Sequence, residues 1–311
     1  MGTNKASLKQ GNEPGAITGL RRFFDTGESS VTLRILFSNP VSVLSLIIVV
    51  GFILIALVVW LTNNAVLPYS PFAIDIYSIL SPPSSAHIFG TDSLGRDIFS
   101  RVLAATPIDA AVPFVVLTIA VSLGLLTGIL AGYVGGMVEE IVMRITDIFL
   151  AFPGIVLALV IAASLGPSIG NSILALAPVW WPSYTRLARG ETLSLKSQQF
   201  VEAARASGHK GRYIMLRHVV PNIIPVLLAY ATLDFGNVIL VFSVLSFIGL
   251  GAQPPSPEWG LMSVLEEQYL TRAPWAPIMY ALAILVVAVG FSLLGDGLRD
   301  AFDPKIRSLY K

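Results

Sequence analysis

Residues 148–185 form a run of 38 residues without one charged side chain, and this run constrains the chain more than any other feature. As a single α-helix rising about 1.5 Å per residue it would be about 57 Å long, nearly twice the roughly 30 Å of a bilayer's hydrocarbon core. In its middle stand Gly166, Pro167, Ser168, Ile169, Gly170 and Asn171, turn formers that interrupt a helix and suit a membrane surface. The run therefore predicts two crossings joined by a tight turn.

The rest of the hydropathy pattern extends that reading. Residues 41–61 carry neither charge nor proline and are long enough to cross once. Some forty polar or mixed residues precede them, whereas a secretory signal has a short basic start and a small-residue cleavage site, so this span is expected to be retained. With the uncharged stretches at 110–138, 219–233 continuing past Asp234, and 273–295, six spans are predicted near 41–61, 110–133, 145–165, 171–188, 221–249 and 275–298. A chain of 311 residues that is 54% apolar and 13% charged has more hydrophobic surface than one water-soluble core would bury. The fold class is all-α and polytopic, with the lipid bilayer as its solvent.

Basic residues test the count independently, because Lys and Arg accumulate on the cytoplasmic side. Five precede the first span, two lie in 62–106, one in 134–144, seven in 186–220, one in 251–274 and four from Arg299 onward. Six spans with the N-terminus inside put 17 of the 20 in the cytoplasm; treating 148–185 as one span would put only seven there. The six-span arrangement places both termini and the 189–220 loop inside, and 62–106 and 251–274 outside, in a multi-pass protein of the cell membrane.

Several chemistries are excluded. The chain has no cysteine, and His87, His209 and His218 lack metal-ligand spacing. There is no Gly-x-x-x-x-Gly-Lys-Ser/Thr phosphate loop, His-Glu-x-x-His or Gly-x-Ser-x-Gly, so neither ATP chemistry nor a recognisable hydrolytic site belongs to this chain, and no cofactor is expected on it. The net charge of +1 gives no bias toward nucleic acid.

The longest cytoplasmic connection is the most informative. Residues 197–207 favour helix, and Gly208 follows where a left-handed helix stop wants glycine. Phe200, Ala203, Ala204 and Ser207 fall on one face, small except for one aromatic knob, with Lys196, Arg205, Lys210, Arg212 and Arg217 around it. Such a helix suits a groove on another protein, or it lies on anionic headgroups.

Glu202-Ala203-Ala204, with Gly208 four residues on and Pro221 thirteen beyond that, resembles the Glu-Ala-Ala loop of binding-protein-dependent ABC importer permeases. His218 and Val220 depart from that loop's consensus Ile and Leu. Four further segments resemble the C-type subunit of the dipeptide, oligopeptide and nickel branch, in which the variant His218-Val219-Val220-Pro221-Asn222 is ordinary. They are Phe89-Gly90-Thr91-Asp92-Ser93-Leu94-Gly95-Arg96-Asp97, Met143-Arg144-Ile145-Thr146-Asp147-Ile148, Gly249-Leu250-Gly251-Ala252-Gln253-Pro254-Pro255 with Glu258-Trp259-Gly260, and Leu294-Gly295-Asp296-Gly297-Leu298-Arg299-Asp300.

The resemblance implies a type I importer (MetI-like) permease fold with a tail at 1–40, a first span at 41–61, an outer loop with an interfacial helix at 62–106, a five-helix core at 107–299 and a tail at 300–311. It implies ATPase coupling through Phe200, Glu202, Ala203, Ala204, Gly208 and Pro221. The implied partners are a homologous second permease, two cytoplasmic ATPases that hold ATP and Mg, and an extracellular solute-binding protein. The implied cargo is di- or oligopeptide, with oligosaccharide or nickel as alternatives. A gradient-driven secondary transporter is the rival class, but it usually needs several intramembrane ionisable groups, and Asp234 is the one carboxylate deep in a predicted span.

Asp234 with Asn237 at i+3 marks either the lining of a translocation path or a hydrogen bond between helices. Asp147 with Arg144, and Asp296 with Arg299, are expected to pair locally at span ends. Pro153, Pro178, Pro182, Pro221 and Pro225 are expected to bend their helices. Gly124, Gly128 and Gly132, at i, i+4 and i+8, predict a face for close helix contact.

Overall fold

The computed structural model describes residues 35–302, so the tails expected at 1–40 and 300–311 lie mostly outside the described residues. Among the described residues there is no β-strand, only an isolated bridge between Thr91 and Asp97. Helix α1 is Pro40–Leu61, capped by Asn39, whose side chain accepts from Val41 N, with Pro40 where a missing N–H costs nothing. Its 22 residues span about 33 Å. Ser42, Ser45, Val49, Phe52, Ala56 and Val59 form its buried stripe, and the opposite face presents Leu44, Ile47, Leu54 and Leu57 outward.

Helix α2, Ile98–Val134, runs unbroken for 37 residues. The helix expected at the interface in 62–106 is thus the opening of the second span, begun at Asp97, whose carboxylate accepts from Ser100 N at 2.8 Å. Pro107 and Pro113 lie inside α2 without ending it. After Gly135 come α3, Gly136–Leu150, and α4, Gly154–Leu165, which meet at 84° with Pro153 at the corner. Helix α5 is Ile169–Lys196; in the turn before it Ser168 accepts from Asn171 N, and the Asn171 amide donates to Leu165 O and Gly166 O. This turn stands at the break read from the sequence.

The connection beyond α5 holds α6, Gln199–Ala206, a single turn α7, Gly211–Ile214, and a π-helical stretch Met215–Val219 that runs into α8, Val220–Phe247. The π stretch has a local cause: Pro221 cannot donate to the carbonyl four residues back and its ring crowds it, so the helix widens by one residue there. Helix α9 is Trp259–Glu266 and α10 is Trp275–Phe302.

Four of these helical runs are long and apolar enough to cross a membrane: α1, α2, Gly211–Phe247 and α10; the bent pair α3 and α4 makes a fifth if it is one span. Helix α5 has the length of the sixth expected crossing but not the apolar composition, because Asn171, Pro178, Trp180, Trp181, Pro182, Ser183 and Tyr184 dilute it. One face of it packs along α2. One apolar core gathers α2, α4, α5 and α8 around Leu176, Tyr184, Leu227 and Phe242; a second gathers α1, α2, α9 and α10 around Phe52, Trp259 and Phe291.

The glycine face of α2 meets α5, as its spacing predicted. A Cβ on Gly128 would lie 2.5 Å from Thr185 O, and one on Gly132 would lie 2.8 Å from Thr192 Cβ. Only a missing side chain allows that approach, and Thr127 and Thr185 use it to join their hydroxyls at 2.9 Å.

Candidate functional site

The end of the bundle where α2 and α5 finish carries the 197–221 connection. Its base is fixed: Lys196 Nζ donates to Tyr133 O at 2.8 Å, satisfying a carbonyl at the end of α2. Arg189 Nε donates to Glu139 Oε1 at 2.7 Å and Arg186 to Asp147 Oδ1 at 2.6 Å, tying α5 to α3. Asp147 is thus held across helices rather than by Arg144, which lies 3.9 Å from Glu140. Arg299 likewise does not pair with Asp296 but stacks over the Tyr230 ring, 5.6 Å from its centroid.

On this base α6 is held by one buried side chain, Val201, which the sequence reading passed over. Phe200 is 43% exposed, Glu202 and Ala203 face outward and Ala204 is half-buried. The expected docking face is therefore open. Phe200 leans toward the His218 ring at 6.2 Å, so the residue that departs from the consensus isoleucine sits behind the aromatic knob. Glu202, expected to cap backbone or to meet a partner's basic group, makes no side-chain hydrogen bond or ion pair among the described residues. Gly208 ends the helix at φ +81°, with its N–H on Arg205 O and the His209 N–H on Ala204 O. A Cβ there would meet nothing within 4 Å, so the demand for glycine is conformational. Pro221 sits in the first turn of α8, following the π stretch.

A second polar site lies among the spans. Tyr184 Oη, from α5, donates to Asp234 Oδ2, on α8, at 2.7 Å, and the Asn237 and Trp180 side chains are within hydrogen-bonding reach of the same carboxylate. Asn237 and Ser183 are exposed on the surface of the chain and Asp234 is half-buried. Asp234 and Asn237 thus come together as their spacing predicted. Their α5 partners did not emerge from the sequence, where the only signal was a tyrosine and a tryptophan in a predicted span.

The opposite end of the bundle is closed by charge. Asp92 accepts from Leu94 N and Arg96 N, both at 2.9 Å, and from Arg96 Nε at 2.6 Å, with Arg101 Nε at 3.4 Å. Arg101, 2% exposed, donates to Pro71 O, and His87 bonds Asp97. Ser93 donates through N and Oγ to Glu266, at 3.1 and 2.8 Å, while Glu258 caps α9 through Gly260 N and Leu261 N. The Trp259 indole donates to Val102 O. The two ends of α9 are thus tied separately, Glu266 to the 89–97 segment and Trp259 to α2. Burial pushes the Glu258 and Glu266 carboxyls above the ordinary glutamate range.

The chain is a bundle of apolar helices, several long enough to cross a membrane, with an exposed short helix at one end and a polar patch among the spans. Residues 124–308 match the family described as the binding-protein-dependent transport system inner membrane component, and the chain belongs to that family. It is 41% identical over 271 residues to the dipeptide transport system permease protein DppC of Alkalihalophilus pseudofirmus, covering 87% of this chain and 88% of that one. It is 43% identical over 268 residues to the probable D,D-dipeptide transport system permease protein DdpC of Escherichia coli, covering 86% and 88%. A glutathione transport system permease protein, GsiD, of Escherichia coli is 43% identical over 257 residues, covering 82% and 85%. Among solved structures, an inward-facing form of the MetNI methionine ABC transporter superposes with a TM-score of 0.52 at 18% identity, covering 69% of this chain and 98% of that one, a likeness of fold. The chain is a multi-pass permease component of an ABC transporter, and so works with other subunits.

Proposed function

We propose that this chain forms half of the path through an ATP-driven importer of di- and oligopeptides, beside a homologous second permease, with two ATPases on the α6 side and a solute-binding protein on the other. The carrying observation is α6 itself. A short helix that buries only Val201 and presents Phe200, Glu202 and Ala203 outward has left its working face for another molecule. Next to it in the chain, α5 is tied to α3 by two ion pairs and to the end of α2 by Lys196, so a push on α6 passed through the two-residue link to α5 would reach the spans. The excess of Lys and Arg at this end supports a cytoplasmic orientation. The names of the relatives support peptides as cargo.

Glu202 then meets a basic group of the ATPase, and Gly208 keeps the chain reversal that holds α6 outward. Gly208→Pro forbids the positive φ and Glu202→Lys inverts the charge. In proteoliposomes holding the complete transporter, both should lower peptide uptake per ATP hydrolysed while the protein remains in the membrane. Wild-type coupling in both variants would remove α6 from the ATPase interface. Uptake of peptide by wild type without ATP would replace this reading with a gradient-driven one.

A further inference from the structure

The carboxylate of Asp234 has an unusual set of neighbours for a charge among membrane spans. Tyr184, Asn237 and Trp180 are all neutral donors, and no Lys, Arg or His forms an ion pair with it among the described residues. Neutral donors hold an ionised carboxylate in place without cancelling its charge. A carboxylate does not face lipid at low cost, and Asn237 and Ser183 are exposed beside it on the surface of this chain. Even the Arg299 guanidinium stacks on Tyr230 and not on Asp234.

The recess in front of the carboxylate is about 110 Å³ and is lined by Ser183, Tyr184, Leu187, Tyr230 and Asp234. At roughly 30 Å³ per water, that is room for an ammonium and the atoms next to it, not for a whole peptide. One carboxylate beside two tyrosines and a leucine in a small recess suits an organic ammonium. A hard metal ion would want six or more oxygens.

We propose that Asp234 is a subsite in the translocation path that receives the free primary ammonium of the passing solute. This rests on the peptide-importer reading and names the chemical group that the path itself reads. Tyr184 is its positioning residue, fixing the carboxylate so that one oxygen stays turned to the recess.

The test uses the complete transporter in proteoliposomes and compares ATP-driven uptake of a dipeptide bearing a free amino terminus with that of its N-acetyl twin. Each rate is divided by the amount the solute-binding protein captures on its own. Wild type should favour the free amine by about tenfold, the scale of one charge-assisted hydrogen bond. Asp234→Asn should bring the ratio close to one, and Asp234→Glu should restore part of it; a mere tie between helices would leave the ratio unmoved. If Asp234→Asn keeps the wild-type ratio, the subsite is wrong and the peptide importer stands. If wild type takes up neither peptide, both readings fall together. Should the asparagine variant not assemble, Tyr184→Phe gives the second reading: an intermediate ratio supports the subsite, and an unchanged one overturns it.

Discussion

At the end of the bundle that carries residues 62–97 and α9, the buried groups Asp92, Asp97, Arg101, Glu258 and Glu266 are hydrogen-bonded to the chain itself. At the other end α6 rests on Val201 and leaves Phe200 and Glu202 in the open. Buried charge is tolerated only where each group finds its counterpart, so the first end has one geometry and a high cost of departing from it. An exposed short helix with one apolar anchor has little to lose by moving. The contrast supports a division of labour, with a fixed cap on one side of the spans and a movable handle on the other.

The hardest blow to that contrast is Arg101→Ala, which strips Asp92 and Pro71 O of a buried guanidinium. It should destabilise the fold by about 3–5 kcal/mol, read as a fall in thermal midpoint in detergent. A loss under about 1 kcal/mol would mean that this charged cluster is not a stability element.

A smaller effect should follow pH. Burial raises the Glu266 carboxyl above its ordinary value, so the folded state holds that proton more tightly than the unfolded chain does. Its contribution is full below the ordinary glutamate value of about 4.3 and is lost as pH rises through the raised one. The wild-type thermal midpoint should therefore fall over that window relative to that of Glu266→Gln, and a constant difference between the two melts would cancel the assignment.

At the α6 end, Gly208→Ala should cost only about 1 kcal/mol, because the penalty is the positive φ and not a clash. Smallest of all, Phe200→Ala should shift the thermal midpoint by the equivalent of no more than about 0.5 kcal/mol, since the ring is exposed and lies outside the apolar cores, while still reducing ATP-coupled uptake. Equal losses from Phe200→Ala and Arg101→Ala would erase the difference between the two ends.

Much of the architecture could be read along the chain because a bilayer imposes its demand locally, span by span. The span at 41–61 matches Pro40–Leu61, the break at 166–171 matches the turn between α4 and α5, and Gly208 ends its helix in the left-handed region. The glycines at 124, 128 and 132 face a helix, although nothing in their spacing said it would be α5. What failed to show was whatever depends on two distant segments meeting. Hydropathy divided 98–134 into an interfacial piece and a span, while the structure joins them because Asp97 caps a single helix. It also gave α5 the standing of an ordinary crossing, although the polar residues within it leave it less apolar than the other spans.

The sequence by itself determined that this chain lives among lipids, where its helices break, and which loop carries the basic, small-faced helix. Periodicity and composition suffice for these because each is a transaction between a short segment and its solvent. Tertiary structure alone decided that Ser93 meets Glu266 across 173 residues of chain and that Tyr184 reaches Asp234 across 50. Such pairs form only when packing brings the helices together, and a lone carboxylate in a span does not announce which donor will answer it.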